Sequence, residues 1–196
     1  MNGPLMHFDK LFALMRDAVL LTQADRELIA SRFQPVSFAR HTRLVQPGSV
    51  ARWLYFINAG YLRVFAYQEG VEVTTHLNCP PGFITSFRSF NHQVPAADYL
   101  ECITDVELLA ISRQDLDYLY RQSVHLSAFG RLMLEQSVTY NETRSQDLVA
   151  LSAGQRYQKL LRQHPDIVQH VPLQYIASFI GIKPESLSRI RRQIIS

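Results

Sequence analysis

The stretch GIKPESLSRIRR, residues 181–192, holds the side chains of this chain that are best suited to binding a charged partner. Arginine can donate two hydrogen bonds to guanine or pair with phosphate, and glutamate can accept a hydrogen bond from cytosine. The charge distribution agrees with this use. Residues 151–196 contain seven Lys or Arg and two acids, a net charge of +5, whereas residues 1–150 carry −2. The sequence therefore predicts that a polyanionic partner binds the C-terminal part of the chain and not the rest.

The residues around this stretch predict two short helices joined by a tight turn. In PLQYIASFIGI, residues 172–182, Gly181 supplies the turn because a residue without Cβ accepts a positive φ. Pro184 suits the first turn of the next helix, where its missing amide hydrogen would have no partner. Small Ala177 allows close helix approach. The positions expected to face inward are Ile176, Ala177, Ile180, Leu187, Ile190 and Ile194.

This pattern is typical of a helix-turn-helix, whose second helix enters the major groove of DNA. We expect Glu185 and Arg189 to contact base edges, and Lys183, Arg191 and Arg192 to contact phosphates. The alternative is an ordinary amphipathic terminal helix with a solvated charged face. The predicted DNA contacts are Gln174, Lys183, Glu185, Ser186, Ser188, Arg189, Arg191 and Arg192.

Short runs of alternating residues predict an antiparallel β module between about Val36 and Ile111. The runs are WLYFI, YLRVFAY, VEVTTHL and VELLAI, separated by QPGS, NAG, QEG and CPPG. QEG fits a hairpin turn and Gly60 fits a positive φ. Two short helices precede the module, the second capped by Thr22. The spacing of the strands is typical of a barrel or jelly roll, so the fold class is α+β with a β-roll.

After a helix capped by Ser112, a proline-free stretch from about Ser123 to Val149 predicts a single long helix. Its stripe at spacings of three and four can form a dimer seam, which is the favoured interpretation, or pack on the β module of the same chain. ALSAG ends this helix, and three more helices are expected after it. The predicted domains are 1–122, 123–150 and 151–196. The seam residues are Leu126, Phe129, Met133, Gln136 and Tyr140.

The order of β-roll, long helix and terminal helix-turn-helix, with the run YIASFIGIKPESLSRIRR, resembles the CRP/FNR superfamily of bacterial transcription regulators. ARWLYFINAGYLRVFAYQEGVEV is similar to the β-roll of that family, and TSFRSF and LSRIRR resemble a branch common in Bacteroidetes. The resemblance implies a homodimer on palindromic double-stranded DNA, with recognition helices about 34 Å apart, and RNA polymerase as a further partner. On the family motif RExxxR, Glu185 and Arg189 match, but Pro184 replaces the first arginine, so the sequence that is read should differ.

Cyclic-nucleotide binders of this family carry GEL and, ten residues after its glutamate, an arginine for the cyclic phosphate. Thr85, Ser86 and Phe87 align with GEL, and Ala96 stands in place of the arginine. Alanine cannot neutralise a buried phosphate, so we predict that cyclic AMP is not bound and that any small-molecule effector is of another kind. Arg88 is the other candidate cation for the phosphate. It lies two residues beyond Ser86 on the predicted strand, so its side chain returns to the same face but is displaced by about 7 Å. The predicted effector pocket comprises Phe83, Thr85, Ser86, Phe87, Arg88 and Ala96.

Other classes of site find little support in the sequence. Cys79 and Cys102 are too few for an iron–sulfur cluster or a disulfide framework, and the seven histidines form no recognisable ligand pair. No nucleophile, base and orienting group occur together. We therefore expect no metal, no cofactor and no enzymatic activity.

The sequence also predicts location and mode of action. The chain has no apolar run that could span a membrane and has acids near its start, so we expect a cytoplasmic protein. It stops at Ser196, where the family continues into a β-hairpin wing, so a truncated wing is expected. The leading hypothesis is a sequence-specific DNA-binding regulator. The alternative is a small-molecule sensor that acts through protein contacts, with a vestigial helix-turn-helix.

Overall fold

The computed structural model describes residues 6–195 and is an α+β structure, as the sequence predicted. Two antiparallel sheets form a roll, helices flank it, and one long helix leads from the roll to a C-terminal helical unit. The helices are α1 Asp9–Arg16, α2 Gln23–Arg32, α3 Phe87–His92, α4 Arg113–Gln122, α5 Val124–Ala150, α6 Ala153–Gln163, α7 Pro165–His170, α8 Leu173–Phe179 and α9 Pro184–Ile195. The strands are β1 Gln34–Phe38, β2 Arg43–Val45, β3 Trp53–Ala59, β4 Leu62–Gln68, β5 Val71–Asn78, β6 Gly82–Ile84, β7 Tyr99–Cys102 and β8 Val106–Ser112.

The roll consists of two four-stranded sheets, in the strand orders β1-β8-β3-β6 and β2-β7-β4-β5. Residues such as Phe56, Leu62, Leu100 and Leu109 are fully buried and share one apolar core. Strand β5 pairs with β4 on one side only, which leaves its other edge open to contact with the C-terminal helices.

The local signals in the sequence lie where they were predicted. The Thr22 side chain accepts a hydrogen bond from the amide of Asp25 and forms a capping box with it, which begins α2. Ser112 caps α4 through the same type of contact. Gly60 has a φ of 89°, and a Cβ at this position would lie 2.3 Å from the carbonyl oxygen of Asp105. Only glycine fits at this turn.

Two predictions about the elements are wrong. The segment from Phe87 to His92 is a helix within the β module, so Arg88 does not lie on a strand and the 7 Å displacement along one does not apply. The region after residue 152 forms four helices rather than three, because Pro165 cannot continue α6 and instead occupies the first turn of α7.

The stripe of α5 that was predicted to form a dimer seam is buried within its own chain at its first residues. Leu126 and Phe129 are 2% and 5% exposed and lie in the core of their own roll, and Met133 packs against that core. The first half of the stripe therefore packs on the chain's own β module, the alternative that the sequence left open, and its second half does not. Gln136 is exposed, and Tyr140 borders a cavity shared with the C-terminal helices.

The C-terminal helices pack against the roll through a second apolar cluster. Leu77 of β5 and Ile103, which follows β7, are buried together with Tyr157, Leu160 and Ile176 of the helical unit. This cluster fixes the position of α8 on the open edge of β5. No helix among residues 6–195 has the length and hydrophobicity needed to cross a lipid bilayer.

Candidate nucleic-acid interface

The turn between α8 and α9 has the geometry of a glycine-terminated helix end. Gly181 has a φ of 77°. Its amide donates to the carbonyl oxygen of Ser178, and the amide of Ile182 donates to that of Ala177. These two bonds form a Schellman motif, which ends α8 sharply and sets the direction in which the chain enters α9.

Helix α9 is anchored by its inner face. Leu187 is fully buried, and Ile190 and Ile194 pack against the same cluster. Ala177 of α8 is also fully buried, as expected for a small residue at a close helix contact. With these positions inward, the opposite face of α9 is left for solvent or a partner.

The outward face of α9 carries most of the predicted DNA contacts. Glu185, Arg189 and Arg192 are exposed, and Lys183 is exposed at the start of the helix. Ser188 lies on the same face and donates to the carbonyl oxygen of Pro184 at 3.1 Å. These side chains form one polar surface with a cationic excess.

The other predicted contacts lie at the margins of this surface. Arg191 and Ser186 are half-buried on the two flanks of α9, and Gln174 is exposed on α8. For Arg191 this flank position agrees with its predicted contact to a backbone phosphate rather than to a base edge. Gln174 is on the first helix of the pair, the one that crosses the DNA backbone in a helix-turn-helix.

Helix α8 is bound to the open edge of β5 by a serine that sequence reasoning missed. The Ser178 hydroxyl accepts a hydrogen bond from the Thr74 amide at 2.9 Å and donates to the carbonyl oxygen of Glu72 at 3.0 Å. It thereby pairs both groups that an adjacent strand would have paired. A serine on a helix gives no sequence signal for this contact.

A buried arginine supports the same contact from the roll. The Arg63 guanidinium lies between the rings of Phe65 and Tyr175, 3.9 Å and 3.7 Å from their centroids. Its charge is balanced by Glu72 at 2.7 Å and Glu101 at 3.2 Å. Because Tyr175 belongs to α8, this cation–π sandwich joins the helix-turn-helix to the outer face of the roll.

The predicted effector-pocket residues surround the loop and helix that follow β6, but their polar groups are already paired. The Thr85 hydroxyl donates to the carbonyl oxygen of Trp53 at 2.8 Å, and the Ser86 hydroxyl donates to Asp98 at 2.6 Å. Ala96 is 6% exposed and belongs to the core.

The remaining members of this group divide between the core and the surface. The ring of Phe83 packs on Phe56 and Phe129, and Phe87 packs against the same core. Arg88 is exposed on α3. The group thus supplies aromatic rings and hydroxyls that are already paired, one of them with the carboxylate of Asp98, and its one cation lies outward.

Among residues 6–195 the structure shows no site that is arranged for metal binding or thiol chemistry. No group of three or more His, Cys, Asp or Glu side chains in this part of the chain is placed to hold a metal ion. Both cysteines are free thiols, and burial with the nearby Glu101 charge raises the pKa of Cys102 to about 12.

Known proteins share this architecture. Residues 35–123 match the family model of the cyclic nucleotide-binding domain. The c-di-GMP-responsive global regulator CLP of Xanthomonas campestris is similar to 88% of this chain over 91% of its own, with 19% identity and a TM-score of 0.67. FixK2 of Bradyrhizobium japonicum matches 83% of this chain over 84% of its own, with 14% identity and a TM-score of 0.72. No curated protein sequence matches the chain.

A structure from Eubacterium rectale assigned to the CRP/FNR family is similar to 92% of this chain over 85% of its own, with 16% identity and a TM-score of 0.68. The chain therefore shares the fold of these structures, and its residues 35–123 are similar to the cyclic nucleotide-binding domain. The resemblance seen in the sequence is confirmed at the level of the fold.

Proposed function

We propose that the chain is a sequence-specific, DNA-binding transcription regulator that works as a homodimer and does not respond to cyclic AMP. The observation that carries this proposal is the outward face of α9. A helix whose inner face is anchored by Leu187 presents Glu185, Arg189 and Arg192 together, next to Lys183. Short and long polar side chains on one helix face suit reading of the major groove.

The charge of the unit favours DNA over a protein partner. The net charge of +5 is confined to residues 151–196, and the cations of α9 lie on its exposed face. Such a concentration of positive charge attracts the phosphate backbone at long range and gives affinity that falls steeply with salt. A sensor acting through protein contacts would have no need of this asymmetry.

The homodimer rests on a different stripe of α5 from the one first predicted. Leu134 and Val138 are 53% and 57% exposed, and positions 134, 138, 141, 145 and 148 follow a spacing of four and three. This is the heptad spacing of a two-stranded coiled coil. A second copy of α5, packed about a two-fold axis, is the occupant we propose for this face.

Selection of bound duplexes from a random DNA pool tests the proposal directly. We expect a palindrome whose half-sites are about 10 base pairs, or one helical turn, apart centre to centre. Affinity for the selected duplex should exceed that for a scrambled duplex of the same composition by about 1,000-fold or more at physiological salt. Enrichment of no sequence, with equal affinity for both duplexes, would refute sequence-specific recognition and favour the sensor hypothesis.

A further inference from the structure

A cavity of about 270 Å³ lies where the long helix meets the C-terminal unit. We call it the hinge cavity. Its walls come from the second half of α5, from α6 and from the end of α8, and it is partly open to solvent. It is separate from the β-roll interior and from the outward face of α9. The lining residues used below are Thr143, Arg144, Leu148, Arg156, Lys159 and Phe179.

Two guanidinium groups in the hinge cavity lack a counter-ion. Arg144 donates to the carbonyl oxygen of Phe179 at 2.8 Å, and Arg156 donates to that of Ile180 at 2.9 Å and to that of Leu151. All of these acceptors are neutral. Within residues 6–195, no carboxylate lies within 4.0 Å of either guanidinium.

The lining as a whole is positive and incompletely paired. Lys159 is paired with Asp147, the one carboxylate of the lining, so the two arginines leave a net charge of +2. The Nε atom of Arg144 is buried without a hydrogen-bond partner among the described residues. Burial lowers the pKa of Arg144, the nearby Tyr140 hydroxyl opposes this, and the charge of Arg156 lowers the pKa further. Neighbouring cations that repel each other gain from an anion placed between them.

Part of the hinge-cavity lining is apolar. Leu148, Leu160 and Ile180 contribute aliphatic surface, and the ring of Phe179 lies 4.3 Å from the Arg144 guanidinium. A volume of about 270 Å³ lies just below the usual range for ligand pockets, which begins at about 300 Å³, so only a small molecule would fit. The chemistry of the walls suits a small molecule with an anionic head and an apolar or aromatic body.

We propose that the hinge cavity binds a small organic anion, with Arg144 and Arg156 as its counter-charges, and that this anion is the effector of the protein. The regulatory part rests on the proposed DNA-binding function. Both arginines hold the last carbonyl groups of α8, directly before the Gly181 turn that directs α9. An anion shared by the two would tighten the joint between α5, α6 and the helix-turn-helix, and so alter DNA affinity.

Binding is tested first without DNA, by thermal unfolding and calorimetric titration with phenyl phosphate and phenylacetate. Phenol is the neutral control, and ionic strength is held constant. We expect at least one of the two anions to raise Tm by about 3 to 6 °C at a concentration ten times its Kd, and phenol to leave Tm unchanged. No binding of either anion, or an equal shift with phenol, would overturn the proposal.

Variants locate the site. Arg144→Gln should weaken anion binding at least about tenfold, whereas Arg131→Gln, on an exposed part of the same helix, should not. Because Arg144 also holds the end of α8, a second variant leaves both arginines intact. Thr143→Trp fills the hinge cavity from an exposed position and should abolish binding, and Thr139→Trp one turn earlier is its matched control. Unchanged binding in both Arg144→Gln and Thr143→Trp would place the anion elsewhere.

The regulatory role is measured separately. The bound anion should change the Kd for the selected duplex at least about fivefold in the wild type and leave it unchanged in Thr143→Trp. If the anion binds but this Kd does not move, the regulatory part is wrong. If no duplex is selected at all, the proposed function fails while the anion site still stands on the titrations.

Discussion

The Ser86 hydroxyl donates a hydrogen bond to the Asp98 carboxylate at 2.6 Å, two residues from Ala96, which replaces the phosphate-binding arginine expected from the family pattern. A phosphate placed here would meet a carboxylate and no arginine, because Ala96 stands where that cation is expected. The pair therefore gives the site the opposite electrostatic character from the one that binds a cyclic phosphate.

Calorimetric titration with cyclic AMP and cyclic GMP should accordingly show no binding with a Kd below about 1 mM. Asp98→Asn should not create binding, since it removes the repulsion without supplying a cation. Near-ultraviolet circular dichroism of the titrated sample serves as the control for folding. Micromolar affinity for either nucleotide would contradict the assignment of Ser86, Asp98 and Ala96.

Arg189 and Arg192 should behave differently on DNA although both are exposed on α9. Arg189→Ala is expected to cost about 1 to 3 kcal/mol on the selected duplex and to relax base preference at one position, because it removes a base contact. Arg192→Ala should weaken binding to selected and scrambled duplexes alike and reduce the salt slope by about 1. Fluorescence anisotropy at several salt concentrations measures both effects, and equal losses on both duplexes for both variants would refute the division of roles.

The exposed stripe of α5 should hold the dimer together. Replacing Leu134 and Val138 together by glutamate places like charges opposite each other across the proposed two-fold axis and should raise the dimer Kd by at least about tenfold. Gln136→Glu adds a charge at an exposed position off the stripe and is the matched control. Sedimentation velocity over a concentration series gives the Kd, and a double variant as dimeric as the control would exclude this seam.

Asp25 should make the free energy of unfolding depend on pH in the acid range. Burial raises its pKa, but hydrogen bonds from Ser123, Thr22 and His125 lower it by more, to about 2. Since the carboxylate is favoured in the folded state, its contribution of about 2 kcal/mol is present above pH 4 and is lost as pH falls toward 2.

Asp25→Asn should therefore lower the free energy of unfolding by about that amount at pH 7 and by much less near pH 2. Asp17→Asn, at an exposed position just after α1, is the control. Urea unfolding at a series of pH values measures the difference. A loss that is the same at pH 7 and near pH 2 would rule out the linkage to this carboxylate.

Much of the fold and part of the site could be predicted from local patterns. Thr22, Ser112 and Gly60 act through neighbouring backbone groups, so their roles can be read over a few residues. The same holds for Gly181 and for the inward face of α9, since helix ends and amphipathic faces are local properties. Helix α3 was missed because its six residues are too few to establish a helical period against the surrounding alternation.

The sequence by itself determined the order of β-roll, long helix and helix-turn-helix, the C-terminal concentration of charge and the face of α9 that is left for a partner. Tertiary structure alone decided which side of α5 is buried, because a stripe at helical spacing fits a roll or a second helix equally well. It also decided the contacts between Ser178 and β5, and the meeting of Arg144 with Arg156 at the end of α8. These contacts join residues that are far apart in the chain. The Ser178, Arg144 and Arg156 side chains bind backbone groups, which nearly every residue has, so the sequence does not identify the partners.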